Sequence, residues 1–547
     1  MTRMNSKTSS SGIMTLTEAD KDRLQTKQYA LAIDLGSGGP KAAVVAADGR
    51  VVAAAAETIE TRLLPDGGGE QDADAWWRLS LAAARRALKN AAVSKDRIVA
   101  VGCDSQWSLA VPVNQNGVPL MNAIHWTDTR GGRYNREITA GFPRVQGYGL
   151  FKLLKWIRLT GLAPTLSGVD SLGHVLFIKN ERPDIYARTF KFLEPMDYLT
   201  SRLTGRITAT QKTMVAFMVV ESGRWGQTDY SDKLLALAGL DRDKFPELIE
   251  NDGIVGPLDQ GVAAELGLNP ATPVVAGITD SNASLIGSGA VRDFDAIVYI
   301  GTTLYLTCHV PFKKTDLKHF ITALPSPFPS RYYLLGEQCT GGKCVEYCLR
   351  QLVYPDDDLE TGPMPPDAYE RFNALVKSAP PGSGGVVFLP WLNGLVVPEE
   401  SPYVRGGFMN LSLKTTRAHL ARAVFEGLAF NSRWVCGPME KFIGRPIESI
   451  RFSGGGALSN TWSQIHADVL GKPVLQVADP LNTTVRGAGL LALTAVGAVP
   501  PEDLSALVPI ENVFEPNPDH QAAYDKAFSH FLELFKQNKH TFGRMNG

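Results

Sequence analysis

The sequence has few cysteines, almost no net charge and no long apolar segment. Its 547 residues include 6 cysteines, 55 lysines and arginines, and 56 aspartates and glutamates. So few cysteines form no disulfide framework, and a net charge of −1 provides no basic field for nucleic acid or an anionic membrane. The most apolar late stretch, residues 487–499, is far shorter than the ~20 residues that span a bilayer. We therefore expect a cytoplasmic protein that binds neither nucleic acid nor membrane.

The composition is that of an ordinary globular protein, with 44% hydrophobic and 20% charged residues. At ~150 residues per domain, the length predicts three or four domains or two large ones. Residues 1–27 are polar and lack the apolar core of a signal peptide, so we expect a disordered tail. The spacing of Cys339, Cys344 and Cys348 is not a zinc pattern, which favours buried thiols.

Apolar runs separated by glycine turns predict a mixed sheet near the start of the chain. Strands are expected at residues 29–34, 41–46 and 51–58, followed by a helix at 72–92. This alternation is typical of an α/β fold. A second strand, Gly/Thr turn and strand occur around residues 300–306, which is a weak internal repeat. It predicts two related halves with a cleft between them.

Two of these turns have the composition of phosphate-binding loops. In the first, Asp34 ends a strand and Gly36 and Ser37 begin the turn. Glycines let backbone N–H groups approach an anion, and Asp34 is placed to hold a hydrated divalent ion. In the second, the hydroxyls of Thr302 and Thr303 follow Gly301. Each turn alone also fits an ordinary hairpin, but the pair predicts a two-sided phosphate clamp.

Two further segments carry candidate chemistry. Asp280 follows a short strand and opens a helix of small residues, where it is either a helix N-cap or a general base. The run Ser453 to Ala457 contains three glycines between a strand and a helix. Such a run permits the flat approach of a purine ring, or merely a strand–helix connection that needs room.

Polar side chains next to tryptophans predict a site for a polyhydroxylated ligand. The segment Asp104 to Trp107 contains Gln106, and the segment His125 to Arg130 contains Trp126 and Asp128. Carboxylates and amides bind hydroxyls, while an indole packs on C–H faces. The alternative is that these are core tryptophans with surface charges around them.

These segments, in this order, resemble the FGGY carbohydrate kinases of the sugar kinase, Hsp70 and actin superfamily. The resemblance covers residues 28–500 approximately. It rests on the motifs DLGSGGPK, GCDSQW, HWTDTR, MDYLTSRLTG, GITDSNASLIGSG, IGTTLYL, SGGGALSNTW and ADVLGKPV. The family's fold implies two ribonuclease H-like domains with mixed sheets flanked by helices and a cleft between them.

The resemblance also implies roles for individual residues. Asp280 would be the general base and Asp34 the carboxylate on the Mg²⁺ side. The sugar would contact Gln106, Trp107, Trp126 and Asp128. The nucleotide would contact the two turns and the glycine run, at Gly36, Ser37, Gly301, Thr302, Thr303, Gly455, Gly456 and Ala457. ATP and Mg²⁺ are the implied cofactors.

The expected organisation has four parts. A tail at 1–27 precedes a sugar-binding domain at 28–287, a nucleotide-binding domain at 288–505 and a helical extension at 506–547. The expected partners are a sugar or polyol and ATP, with the oligomeric state open between a monomer and a homodimer.

The sequence departs from the xylulokinase pattern at three positions. Gln106-Trp107-Ser108 replaces a typical Gln-Met-His-Gly, Ser281 follows the predicted base where Asn is usual, and Gly38-Gly39 replaces a Thr-Ser type pair. A bulky Trp107 changes which sugar fits. We therefore expect a kinase for a small ketose or polyol. The alternatives are a kinase for a glycerol-like triol or a cyclitol, a catalytically silent sugar sensor, or an actin- or Hsp70-like ATPase.

Overall fold

Two large sheets organise the molecule. The computed structural model describes residues 28–355, 357 and 362–546, so the predicted tail at 1–27 lies outside the described residues. The first sheet has seven strands and the second has eight. The strands in the first half of the chain are β1 Tyr29–Gly36, β2 Gly39–Ala46, β3 Val51–Ala56, β4 Arg62–Leu63, β5 Gly69–Gln71, β6 Ile98–Ser105, β7 Val111–Val113, β8 Ala123–Ile124, β9 Arg144–Val145, β10 Tyr148–Gly149, β11 Lys191–Leu193, β12 Thr208–Thr210, β13 Glu247–Ile249, β14 Ile254–Pro257, β15 Pro273–Val275 and β16 Ile278–Thr279.

The second half of the chain continues the numbering. Its strands are β17 Ala296–Ile300, β18 Leu304–Val310, β19 Thr315–Asp316, β20 Ile321–Pro325, β21 Tyr332–Gln338, β22 Val387–Leu389, β23 Gly407–Met409, β24 Ile450–Ser453, β25 Val474–Val477 and β26 Ile510–Phe514. The α-helices of the whole chain are α1 Ala73–Ala91, α2 Gly132–Thr139, α3 Leu150–Thr160, α4 Ser171–Glu181, α5 Pro183–Arg188, α6 Pro195–Thr204, α7 Gln211–Met214, α8 Asp232–Ala238, α9 Gln260–Leu266, α10 Asp280–Gly287, α11 Gly342–Tyr347, α12 Ala368–Ser378, α13 Arg417–Ile443, α14 Asn460–Leu470, α15 Thr483–Ala495 and α16 Pro518–Asn546.

The two sheets repeat one pattern of strand pairing. In the first sheet, β3, β2 and β1 are antiparallel neighbours, and β1, β6 and β15 are parallel neighbours. In the second sheet, β21, β18 and β17 are antiparallel, and β17, β24 and β25 are parallel. The weak repeat in the sequence therefore reflects two similar sheets, and the α/β prediction is confirmed.

Two helices that are rich in small residues, α10 and α15, lie between the sheets. Helix α15 packs on β1, β2 and β6 of the first sheet, although it comes late in the chain, and it crosses α10. At the crossing, a Cβ on Gly287 would lie 1.8 Å from the Thr483 carbonyl oxygen, and one on Gly487 would lie 1.8 Å from that of Ala283. Only glycine lets the two backbones come so close. The crossing fixes α10, which begins at Asp280, against the first sheet.

The C-terminal segment differs from the predicted helical extension at 506–547. Its first part is β26, which pairs antiparallel with β25 at the edge of the second sheet. The residues of this strand are largely exposed and include Glu511 and Asn512, so the apolar alternation of a strand is missing from the sequence. The terminal helix α16 then packs on the second half of the chain, where Tyr524 accepts a hydrogen bond from Arg422.

Cys344 and Cys348 are buried, as expected of structural thiols, while Cys339 is half-buried. Within the described part of the chain, we find no helix that combines the length and apolar character needed to cross a bilayer.

Candidate active site

Three aspartates lie at one edge of the first sheet. Asp34 and Asp104 occupy paired positions near the carboxyl ends of the parallel strands β1 and β6. Thr279 of β16 pairs with Ser105, so Asp280 begins α10 next to this pair. Asp34 Oδ2 accepts a 2.6 Å hydrogen bond from Thr484 Oγ1 of α15. Both carboxylate oxygens of Asp104 are buried, and the carboxyl groups of Asp104 and Asp34 share a side-chain hydrogen bond.

Burial raises the pKa of all three carboxyl groups. Burial raises the pKa of Asp280 to about 7, and the charges of Glu337 and Asp34 act in the same direction. The pKa of Asp104 is well above its ordinary value because of burial and because of Asp34 and Asp280. For Asp34, burial raises the pKa, while Thr484 and Lys41 oppose the increase. Asp280 is thus a carboxyl group that can accept a proton near neutral pH.

None of the side chains that complete this cluster is among the predicted site residues. Glu337 lies on β21, and burial raises its pKa to about 7. Thr484 of α15 donates a hydrogen bond to Asp34, and the charge of Lys41 on β2 lowers the pKa of Asp34. Lys41 stands in the DLGSGGPK motif and Thr484 in a segment whose small residues indicate a helix, but no local pattern marks either as a site residue. Only the folded register brings them and Glu337 to the aspartates.

The first predicted phosphate turn is a tight hairpin between β1 and β2. Gly36 pairs with Gly39, which leaves Ser37 and Gly38 at the tip. Gly39 has φ +128°, and a Cβ there would lie 2.2 Å from the Glu57 carbonyl oxygen. The turn is therefore a hairpin, and a hairpin of this kind can also bind phosphate, so the two interpretations of the sequence do not exclude each other. The Lys41 ammonium donates to the Leu481 carbonyl, which ties this hairpin to the loop before α15.

The second turn and the glycine run lie against each other. Gly454 has φ +80°, and a Cβ there would lie 2.5 Å from the carbonyl oxygen of Ile300, the residue before Gly301. On the other side, the Gly341 N–H donates to the Thr302 carbonyl at 2.9 Å. Thr302 and Gly455 are exposed, whereas Gly456 and Ala457 are buried. The turns that carry the predicted nucleotide residues of the second half therefore pack against each other, with Thr302 and Gly455 exposed at their surface.

The predicted sugar residue Gln106 is the centre of a buried hydrogen-bond network. Its Oε1 accepts a 2.9 Å bond from Ser37 Oγ and lies 3.1 Å from His125 Nε2. Its Nε2 donates to Gln71 Oε1 at 3.0 Å. The Trp126 indole N–H donates to Ser37 Oγ at 3.1 Å. The network thus connects the predicted phosphate turn to the predicted sugar segment.

Trp107 and Asp128, two predicted sugar residues, differ in whether their polar atoms already have hydrogen-bond partners. Trp107 is half-buried and packs against an apolar cluster that includes Leu285 of the first half of the chain and Tyr333 of the second. Its indole N–H is buried, and no described group accepts its hydrogen bond. The Asp128 carboxylate is fully buried and accepts bonds from Gly69 N and from the side chain and backbone N–H of Arg130. Asp128 therefore holds its loop together, while Trp107 offers a free donor.

Sequence comparisons agree with this arrangement. A sequence model of the FGGY family of carbohydrate kinases, N-terminal domain, matches residues 29–287, and the model of its C-terminal domain matches residues 297–496. The chain belongs to this family. It is a phosphotransferase that uses ATP as a substrate and a sugar hydroxyl as the phosphate acceptor. The family prediction is confirmed.

Relatives of this FGGY kinase are named for several different acceptors. A xylulose kinase of Staphylococcus epidermidis is 26% identical over 94% of this chain and 97% of its own length. An autoinducer-2 kinase of an Enterobacter strain is 27% identical over 91% of this chain and 92% of its own length. The crystal structure of a gluconate kinase from Lactobacillus acidophilus superposes with a TM-score of 0.81 at 20% identity, covering 95% of this chain and all of that one. The shared fold is thus clear, and the acceptor differs between relatives.

Proposed function

We propose that this FGGY kinase transfers the γ-phosphoryl group of ATP to a hydroxyl of a small ketose or polyol, with Asp280 as the general base. The observation that carries the proposal is the position of Asp280 at the start of α10, a helix that packs on β6 of the first sheet and on β17 and β18 of the second. Its pKa of about 7 suits a group that accepts a proton near neutral pH. Phosphoryl transfer needs such a carboxylate together with positioning and charge neutralisation.

The acceptor would lie between the Gln106–Trp107 segment and Asp280. Trp107 has a free indole N–H for a hydroxyl oxygen, and Gln106 and Trp126 shape the wall through their bonds to Ser37. Asp128 would act by holding the loop that carries Trp126. The reacting hydroxyl passes its proton to Asp280 as its oxygen attacks the γ-phosphorus.

The nucleotide would lie along the turns of both halves. Gly36 and Ser37 on one side, and Gly301, Thr302 and Thr303 on the other, have backbone N–H and hydroxyl donors for phosphate oxygens. Within the predicted run Gly455, Gly456 and Ala457, the exposed Gly455 would face the nucleoside, since a glycine leaves room for a ring, and the buried Gly456 and Ala457 would support it from below.

Asp34 and Asp104 fit a magnesium ion. The buried carboxyl groups of Asp104 and Asp34 lie side by side and share a hydrogen bond, and one oxygen of Asp34 also accepts from Thr484. Mg²⁺ prefers one or two carboxylates together with water and phosphate oxygens. When bound with ATP, Mg²⁺ would offset the negative charge of the phosphates.

The experiment measures ADP release with Mg²⁺ and ATP across ketoses, pentitols, tetritols, glycerol and a cyclitol. We expect a signal that depends on a ketose or polyol, and a loss of about 10²–10⁴-fold in kcat for Asp280→Asn, because the amide cannot accept the proton. Sugar binding should be largely retained in this variant.

The matched control is Asp259→Asn, which makes the same change at the exposed start of α9. It should turn over at the parent rate. Equal rates for Asp280→Asn and the parent would remove Asp280 from the role of base. A signal confined to glycerol or the cyclitol would move the acceptor to that class, and binding of sugar and ATP without turnover would favour a sensor.

A further inference from the structure

Glu337 is a carboxylate on the second sheet that lies beside the candidate base. Tyr299, Tyr305 and Glu337 occupy directly opposed positions on the adjacent strands β17, β18 and β21. Opposed residues of antiparallel strands share one face, with Cβ atoms ~4.5–5.5 Å apart. The rings of Tyr299 and Tyr305 are stacked with centroids 5.0 Å apart. Glu337 therefore ends a row of three side chains across the sheet.

This row faces the start of α10. Tyr333, which shares the face of Glu337 because it lies four residues away on β21, hydrogen-bonds to the side chains of Thr279 and Ser281 on either side of Asp280. The charges of Asp280 and Glu337 both act on Tyr305, whose pKa is raised well above its ordinary value, chiefly by burial. Glu337 and Asp280 thus approach the same space from the two halves of the molecule.

The charge of this space is strongly negative. Asp34, Asp104, Asp280 and Glu337 converge here, and Lys41 is the cation that acts on Asp34 and Asp104. The Lys41 ammonium is already bonded to the Leu481 carbonyl. Among the described residues, none forms an ion pair with Glu337. A magnesium ion at Asp34 and Asp104 would leave the Asp280 and Glu337 side without a balancing charge.

We propose that Glu337 is a specificity-determining residue, which selects an uncharged polyhydroxylated acceptor and excludes an acceptor with a carboxylate. A neutral acceptor donates hydroxyl hydrogens to Glu337 and accepts from the free Trp107 N–H. A sugar acid would bring its carboxylate next to the Glu337 carboxylate, which has no ion-pair partner among the described residues. Juxtaposed like charges strongly disfavour binding. This inference rests on the proposed function, because it names the acceptor class of the same site.

The test compares acceptors that differ only in a carboxylate, namely xylitol with xylonate and D-glucitol with D-gluconate. Binding is measured calorimetrically and kcat/KM by ADP release, for the parent, Glu337→Gln and the control Glu448→Gln. Glu448 is an exposed glutamate of the second half, so its variant makes the same charge change elsewhere.

We expect the parent to prefer the neutral member of a pair by about 100-fold. Glu337→Gln should reduce that preference about tenfold or more, since the amide keeps the hydrogen-bonding capacity and removes the charge, whereas Glu448→Gln should not change it. If Glu337→Gln does not fold, Glu337→Ser replaces it. A parent that binds the acids as well as the neutral acceptors overturns the proposal, and so does a preference that survives removal of the charge.

The two proposals fail in different ways. Absence of turnover with every acceptor contradicts the proposed function. Turnover that Asp280→Asn abolishes, with equal use of neutral and acidic acceptors, contradicts only the assignment of Glu337. An increase in the KM for Mg-ATP that is equal for all acceptors would place Glu337 on the nucleotide side instead and would also overturn the inference.

Discussion

The protonation of Asp280 is set by its burial and by Glu337 across the cleft. Burial raises the pKa of both carboxyl groups to about 7. A general base accepts a proton only when it is deprotonated, so activity should be complete above this pKa and lost below it. We predict that kcat/KM falls as the pH decreases through about 7 and that Glu337→Gln moves this limb to lower pH, because removing the neighbouring charge lowers the pKa of Asp280. A profile that is flat from about pH 5 to 8 would disagree with this assignment.

The unpartnered indole N–H of Trp107 gives a second prediction at the residue scale. Trp107→Phe keeps an aromatic ring and removes the donor, so the KM for the sugar should rise about tenfold while the KM for ATP stays the same. Trp156→Phe is the control, because the Trp156 indole N–H is also buried and unpartnered but belongs to α3. Steady-state kinetics with each substrate varied in turn measures both. Equal effects of the two variants would show that Trp107 only fills space.

Individual residues differed in how far the sequence could place them. Asp34 and Asp280 follow short apolar strands and precede turns or helix starts, so local patterns suffice to single them out. Glu337 has no such signal, because its position depends on the register of three strands. The residue type and the neighbours of Asp128 predict that it contacts the sugar. The sequence does not show that Arg130 and Gly69 already donate hydrogen bonds to its carboxylate oxygens.

At the scale of elements, the crossing of α10 and α15 positions Asp280 and Thr484 together. Gly487→Ala would place a methyl group 1.8 Å from the Ala283 carbonyl oxygen, so the helices must separate. We predict a loss of about 1–3 kcal/mol in the free energy of unfolding, together with reduced activity. Denaturant unfolding and ADP release measure the two effects.

Gly543→Ala is the matched control for the helix crossing. Gly543 lies within α16, and a Cβ there would meet no atom within 4 Å. This change should stabilise the protein slightly, since alanine favours a helix over glycine by about 1 kcal/mol. If Gly487→Ala is equally harmless, close packing of α10 and α15 is not what holds the site.

The sequence predicts the existence of a helix such as α15 better than it predicts which sheet the helix packs on. The pattern of residues 483–496 indicates a helix, and α15 is observed there. Its small residues did not reveal that it packs on the first sheet, because either sheet could bury such a surface. Strand β26 escaped prediction since its exposed polar residues hide the alternation, and pairing with β25 supplies its stability.

At the scale of the whole molecule, hydrogen bonds connect the two halves of the chain. The Trp225 indole N–H donates to the Ser326 carbonyl at 2.8 Å, and the Lys313 ammonium lies 3.4 Å from the Thr160 carbonyl oxygen. Closure of a cleft between two halves of a kinase would exclude water from phosphoryl transfer. The repeated strand pattern allowed the two-part architecture to be predicted, but such contacts arise only from the folded arrangement.

Trp225→Phe tests the contribution of closure. The variant keeps the ring and loses a hydrogen bond of about 1 kcal/mol, so the closed form should be less populated. We predict an increase of about fivefold in the KM for the sugar and more ADP released without phosphorylated product. Comparison of ADP with phosphosugar at saturating sugar measures the second effect. Unchanged values would indicate that this bond does not help to close the molecule.

The central claim is that Asp280 promotes direct transfer of phosphate from ATP to a sugar hydroxyl. The most direct measurement is a single-turnover experiment with γ-labelled ATP and a saturating neutral acceptor, comparing the parent with Asp280→Asn. We predict that the label moves to the sugar with one phosphosugar per ADP, and that the variant, although it binds the sugar, transfers about 10²–10⁴-fold more slowly. Release of the label as inorganic phosphate regardless of the sugar, or transfer by the variant at the parent rate, would contradict the account.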